Sequence, residues 1–158
     1  MSRRVVVALG NAYRRDDGAG LAVAERLRGR LPNDVRIVES EQEPTRLIDA
    51  WDGAEIAVVV DAVASGGEPG TLHRFDASEE PVPERLFRSS THSFGVGEAI
   101  ELARALGRLP GRVIVYGIEG AAFEAGEGLS DEVAQAVKRT AAALLADIGN
   151  EEGAGNGA

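Results

Sequence analysis

The chain alternates short apolar runs with longer stretches in which apolar residues recur every three or four positions. Val5-Val6-Val7-Ala8-Leu9 is a β-branched run stopped by Gly10-Asn11, the pattern of a strand buried on both faces. From Gly18 the period becomes helical: Leu21, Ala24, Leu27 and Leu31 share a stripe, and Pro32-Asn33 ends it. Val35 to Val38 alternates as a second strand, and Pro44 suits the first turn of a short helix reaching Trp51. Ile56 to Val60 is another continuous apolar run, closed by Asp61. Ser65-Gly66-Gly67-Glu68-Pro69-Gly70 reads as a turn, and the strand Thr71 to Phe75 is expected to hairpin back onto its predecessor. Residues 76–91 lack a clear period and read mostly as loop. Val96, Ala99, Ile100, Ala103 and Leu106 mark the cleanest helix. A strand over Val113 to Ile118, a glycine-rich loop through Gly128 and a last helix capped by Ser130 complete the pattern.

Strands alternating with helices predict the α/β class: a three-layer αβα sandwich on a mainly parallel, doubly wound sheet, with Thr71–Phe75 as the antiparallel strand. A length of 158 residues fits one domain, taken as residues 1–149. Residues 150–158, with no apolar surface to bury, are expected to be a disordered tail. The apolar stretch Val5–Leu9 is too brief for a signal-peptide core or a membrane span, so a cytoplasmic protein is expected.

Charge and composition narrow the chemistry. Lys+Arg is 17 against Asp+Glu 26, a formal charge of −9 that argues against nucleic-acid and anionic-membrane partners. With Cys 0 there is no thiolate metal site and no cysteine nucleophile. The motifs of a P-loop, a G-x-G-x-x-G dinucleotide site and a G-x-S-x-G hydrolase elbow are absent as well.

In open parallel sheets, sites form outside the carboxyl ends of the strands, near the point where strand order reverses. The residues falling there are Asn11, Asp16 and Asp17 after the first strand, Asp61, Thr91-His92-Ser93 before the cleanest helix, and Glu119. Asp17, Asp61 and His92 are of the types that bind a divalent transition metal; three ligands would leave a position for water or substrate. Each has a plainer alternative. An aspartate before a helix can be its cap, Asp61 can close an Asx turn, and His92 can sit in a capping cluster. Glu119 fits a supporting partner, a salt bridge or a turn, and His73 reads as a solvent-facing strand residue.

Taken in order, these segments resemble the nickel–iron hydrogenase maturation endopeptidases. The resemblance is carried by Val5 to Asn11 with Arg14-Arg15-Asp16-Asp17-Gly18-Ala19-Gly20, Val58-Val59-Val60-Asp61-Ala62, Ser90-Thr91-His92-Ser93, Tyr116-Gly117-Ile118-Glu119-Gly120 and Gly126 to Val133. It implies an αβα protease that removes the C-terminal extension of a hydrogenase large-subunit precursor once nickel is installed. It also implies that Asp17, Asp61 and His92 are both the catalytic and the metal-contacting residues, leaving Asp16 to the helix cap. The metal would be nickel supplied by the precursor, with another divalent ion as the alternative, and the protein a monomer or weak homo-oligomer. A non-catalytic binding protein or chaperone for the nickel-loaded subunit is the competing reading. One segment departs from the family: Glu39-Ser40-Glu41-Gln42-Glu43-Pro44-Thr45 stands where many relatives are glycine-rich with a threonine, so substrate recognition is expected to differ.

Overall fold

The computed structural model describes residues 4–40, 44–81 and 96–157. In chain order the elements are β1 (Arg4–Leu9), a 3-10 helix (Arg15–Gly18), α1 (Ala19–Leu27), β2 (Val35–Ser40), α2 (Pro44–Trp51), β3 (Ile56–Val63), β4 (Leu72–Asp76), α3 (Val96–Ala105), β5 (Arg112–Glu119) and α4 (Asp131–Gly157). They build one five-stranded sheet in the order β2-β1-β3-β5-β4, parallel except where β4 meets β5.

The apolar runs lie in the middle of the sheet because they can be buried on both faces. Val5, Val7, Val59, Val63, Val113 and Val115 face α2 and α3, with Trp51 and Ile100 packed over them. Val6, Val58, Val60, Ile114, Tyr116 and Ile118 face α1 and α4. The result is the three-layer sandwich that the alternating pattern predicts.

Four details differ from the sequence reading. The strand after the Ser65–Gly70 turn does not hairpin onto β3: Leu72 pairs with Ile118 and Phe75 with Val115 of β5. Both edges of β3 are already taken by β1 and β5, whose residues are buried, so the half-buried β4 goes to the rim. Helix α1 stops at Leu27 rather than at Pro32, because Arg28 is extended and Gly29 has φ +79. Its buried face is Ala19, Val23, Ala24 and Leu27, and Leu21 is turned toward a cleft. Finally, α4 continues to Gly157, through the segment expected to be disordered. Composition judges that tail in isolation, whereas a helix already nucleated over Asp131–Ile148 extends at one hydrogen bond per added residue.

From β1 the chain moves outward to β2, then returns to the other side of β1 as β3. That reversal leaves a crevice beyond the carboxyl ends of β1 and β3.

Candidate active site

The crevice is shaped first by glycine. Gly10 has φ +145, and a Cβ there would come within 2.1 Å of the Asp17 carbonyl oxygen, so only glycine lets the loop fold back on itself. A Cβ on Gly20 would lie 2.4 Å from the Leu9 oxygen and 2.7 Å from the Val60 oxygen. Helix α1 therefore starts in direct contact with the ends of β1 and β3. These glycines serve close packing.

The same contact brings Asp17 to the end of the strand that carries Asp61. The 3-10 helix holding Asp17 packs against β3, and both aspartates are only 1% exposed. Oδ2 of Asp17 accepts the Asn11 amide at 3.1 Å. Oδ1 of Asp61 accepts the Ala62 amide at 2.9 Å. Each carboxylate is thus oriented by the backbone of its own loop or strand exit.

Asp16, adjacent in sequence, has a different job. It is fully buried, and it takes amide hydrogen bonds from Ala121 (2.8 Å), Ala122 (2.9 Å) and Ser130 (2.8 Å), plus the Ser130 hydroxyl (2.9 Å). Burial alone would raise its pKa, but the amides of Ser130, Ala121 and Ala122 and the Ser130 hydroxyl outweigh it and hold the carboxyl below its ordinary value. Asp16 therefore does not cap α1. It ties the β5–α4 loop to the β1–α1 loop, and Ser130, at the N-cap position of α4, gives its hydroxyl to that tie. Arg15 reinforces the junction: its amide donates to Gly126 O at 3.0 Å and its guanidinium to Gly128 O at 3.2 Å.

On the far side of the crevice stand two more titratable groups. Glu119, at the end of β5, is 0% exposed and accepts the Ser65 amide at 3.0 Å and the Ser65 hydroxyl. One of its oxygens lies 3.3 Å from Nε2 of His73. His73 is thus not a purely solvent-facing strand residue but a half-buried ring held by a carboxylate. The signal for Glu119 was legible, an acid ending a β-branched run; its partners lie 46 and 54 residues away and have no local pattern.

A cavity of about 520 Å³ opens beside β1 and β2, lined by Asn11, Tyr13, Leu21, Ser40 and Arg46 among others. Asn11 separates it from Asp17, and Tyr13 is 69% exposed at its mouth. Glu39, first of the acidic run, is paired with Arg28 at 2.6 Å.

His92, the third member of the expected trio, lies outside the described residues, as do positions 41–43 of the departing segment. The 3-10 helix that carries Asp17 packs against β3, which carries Asp61, and among the described residues no group of three His, Asp or Glu side chains stands close enough to hold an ion. Two buried oxygen donors suit a hard or borderline divalent ion, and completing its shell would require a donor from elsewhere.

A mainly parallel five-stranded sheet between two layers of helices, with buried acids near its switch point, defines the αβα class. The hydrogenase maturation protease family model matches residues 21–147, and the chain belongs to that family. Among relatives, the hydrogenase expression/formation protein HupD of Thiocapsa roseopersicina is 29% identical over 117 residues, which is 73% of this chain and 53% of that protein. HupM of Azotobacter chroococcum is 30% identical over 122 residues, covering 76% and 58% respectively. The chain spans little more than half the length of these relatives. A fuller overlap is with the Methanocaldococcus jannaschii protein MJ0253, 27% identical over 161 residues, covering 91% of this chain and 95% of that one. Among solved structures, the Escherichia coli hydrogenase maturating endopeptidase HybD superposes with a TM-score of 0.81 at 23% identity, over 94% of this chain and 93% of that one. The [NiFe] hydrogenase maturation protease HybD of Thermococcus kodakarensis gives 0.71 at 28% identity, over 90% and 96%. No helix among the described residues is long and apolar enough to cross a membrane.

Proposed function

We propose that the protein is an endopeptidase that cleaves the C-terminal extension from a hydrogenase large-subunit precursor carrying nickel, with Asp17, Asp61 and His92 as the groups that meet the metal and the scissile peptide. The observation that carries this reading is that Asp61, near the end of β3, and Asp17, on the 3-10 helix packed against β3, are both buried beside the point where the strand order reverses. Family membership supports it.

The nickel arrives as part of the substrate. The chain has no cysteine, so it offers oxygen and imidazole donors only, a set that contacts a thiolate-held ion without extracting it. A divalent ion beside the scissile bond polarises the carbonyl and acidifies water. The protein's own part is to supply carboxylates already fixed by the Asn11 and Ala62 amides, so docking the precursor pays little further ordering entropy. A carboxylate in this low-dielectric crevice is placed to accept the proton of the attacking water. Requiring the metal to complete the site makes cleavage a check on nickel insertion.

The test is incubation with nickel-loaded and nickel-free precursor, reading the released C-terminal fragment by mass. The reading predicts release only from the loaded form. Equal processing of both defeats the checkpoint, and tight binding without cleavage makes the protein a chaperone instead.

A further inference from the structure

Glu119 is buried, yet the cleavage chemistry assigned to Asp17, Asp61 and His92 does not use it. Its side chain and backbone seize the same segment. The carboxylate accepts the Ser65 amide and hydroxyl, the Glu119 amide donates to Thr71 O at 2.9 Å, and the Gly70 amide donates to Glu119 O at 2.8 Å. The next amide, Gly120, donates to Val63 O at 2.9 Å. Ser65 follows Asp61 by four residues, so a single residue fastens both ends of the chain that leaves β3 behind Asp61.

The partner ring is fixed twice. Nε2 of His73 meets Glu119, and the ring stacks on Phe75 with 6.4 Å between centroids and 5° between planes. His73 and Asp61 both pair in register with Gly117, one from each side. They therefore stand in one row across three strands, on the face covered by α3, with a residue lacking a side chain between them. Two strand spacings put their Cα atoms roughly 10 Å apart.

The bonds to Ser65 hold the turn, but they do not by themselves call for an acid: the amide oxygen of a glutamine has two lone pairs and could accept both, without the desolvation of a buried acid. A hydrogen-bonded carboxyl group at the carboxyl end of a parallel sheet, where sites of such folds form, points to function.

We propose that Glu119 and His73 act as one unit of positioning residues for the cleavage, the Glu119 carboxylate fixing the His73 ring and the turn behind Asp61. This rests on the reading of Asp61 given above. The test compares E119Q, H73Q and the double variant on nickel-loaded precursor, with D61N alongside. E119Q preserves shape, and H73Q lies on an edge strand, so it decides the matter if E119Q does not fold. The expected result is a fall in kcat of about tenfold or more in each single variant, with KM within about twofold. The double variant should fall no further than the worse single one, since the two act together. Native kcat in both single variants overturns the proposal. So does a rise in KM alone, or a double variant whose losses multiply. If D61N is inactive while E119Q and H73Q are native, only this inference falls. If D61N cleaves at the native rate, the reading of the site falls and takes this inference with it.

Discussion

Asp16 and Asp17 are neighbours of identical chemistry whose surroundings assign them different work. Asp16 spends its acceptors on Ala121, Ala122 and Ser130, whereas Asp17 is oriented by Asn11 at the crevice. Replacing Asp16 with alanine leaves the part-buried amides of Ala121, Ala122 and Ser130 without their acceptor, and should cost about 2 kcal/mol at neutral pH by urea titration. The sign of the pH effect follows from its lowered pKa. The folded value lies below the ordinary 3.8, so ionised Asp16 stabilises the fold above that value, and the contribution is lost as pH falls through the folded one. The stability gap between the native protein and D16N should therefore narrow from pH 6 to pH 3. A gap constant across that range would show that Asp16 does not hold its charge by these bonds. The pair itself was legible as a candidate site. Which aspartate does which was not, because the groups that claim Asp16 lie 105 to 114 residues further along the chain.

At the scale of elements, α1 and α4 are placed by contacts with opposite tolerances. The start of α1 rests backbone-to-backbone on β1 and β3 through Gly20. G20A should lift it, costing about 2–3 kcal/mol, a fall in melting temperature of roughly 5–10 °C. An unchanged melting temperature would mean the helix start can slide. Helix α4 is pinned to the sheet by Asp147, which accepts the Tyr116 hydroxyl and both arms of Arg74 at 3.0 and 2.8 Å. Burial, then the bond to Asp147, pushes the Tyr116 phenol well above its ordinary pKa, so it stays a neutral donor at physiological pH. D147A strands that hydroxyl and should cost about 2 kcal/mol in a denaturant melt; no loss would mean that α4 is held by its apolar face alone. Periodicity located these helices because apolar spacing is local. It missed where α1 stops and which strand β4 joins, since the extended Arg28 and the filled edges of β3 are settled by tertiary packing.

At the scale of the molecule, the alternation of buried runs with helical stripes was enough to imply a doubly wound sheet, because few chain paths bury such strands on both faces. The order β2-β1-β3-β5-β4 then puts the end of β3 with Asp61 at the reversal, the 3-10 helix that carries Asp17 against β3, and the β5 end with Glu119 next to it. Spacing could nominate the acids but not how their elements lie against one another, which needed the register of β1 on β3 and the glycine contacts that press α1 against both.

The central claim is that Asp17 and Asp61 act at one site on one bond. The most direct measurement is the single-turnover rate of C-terminal fragment release from nickel-loaded precursor by the native protein, D17N and D61N, each shown to be folded. The account predicts that either substitution lowers the rate by about a hundredfold or more, and that the double variant is little worse than either single one. Release at the native rate by D17N or D61N would contradict it.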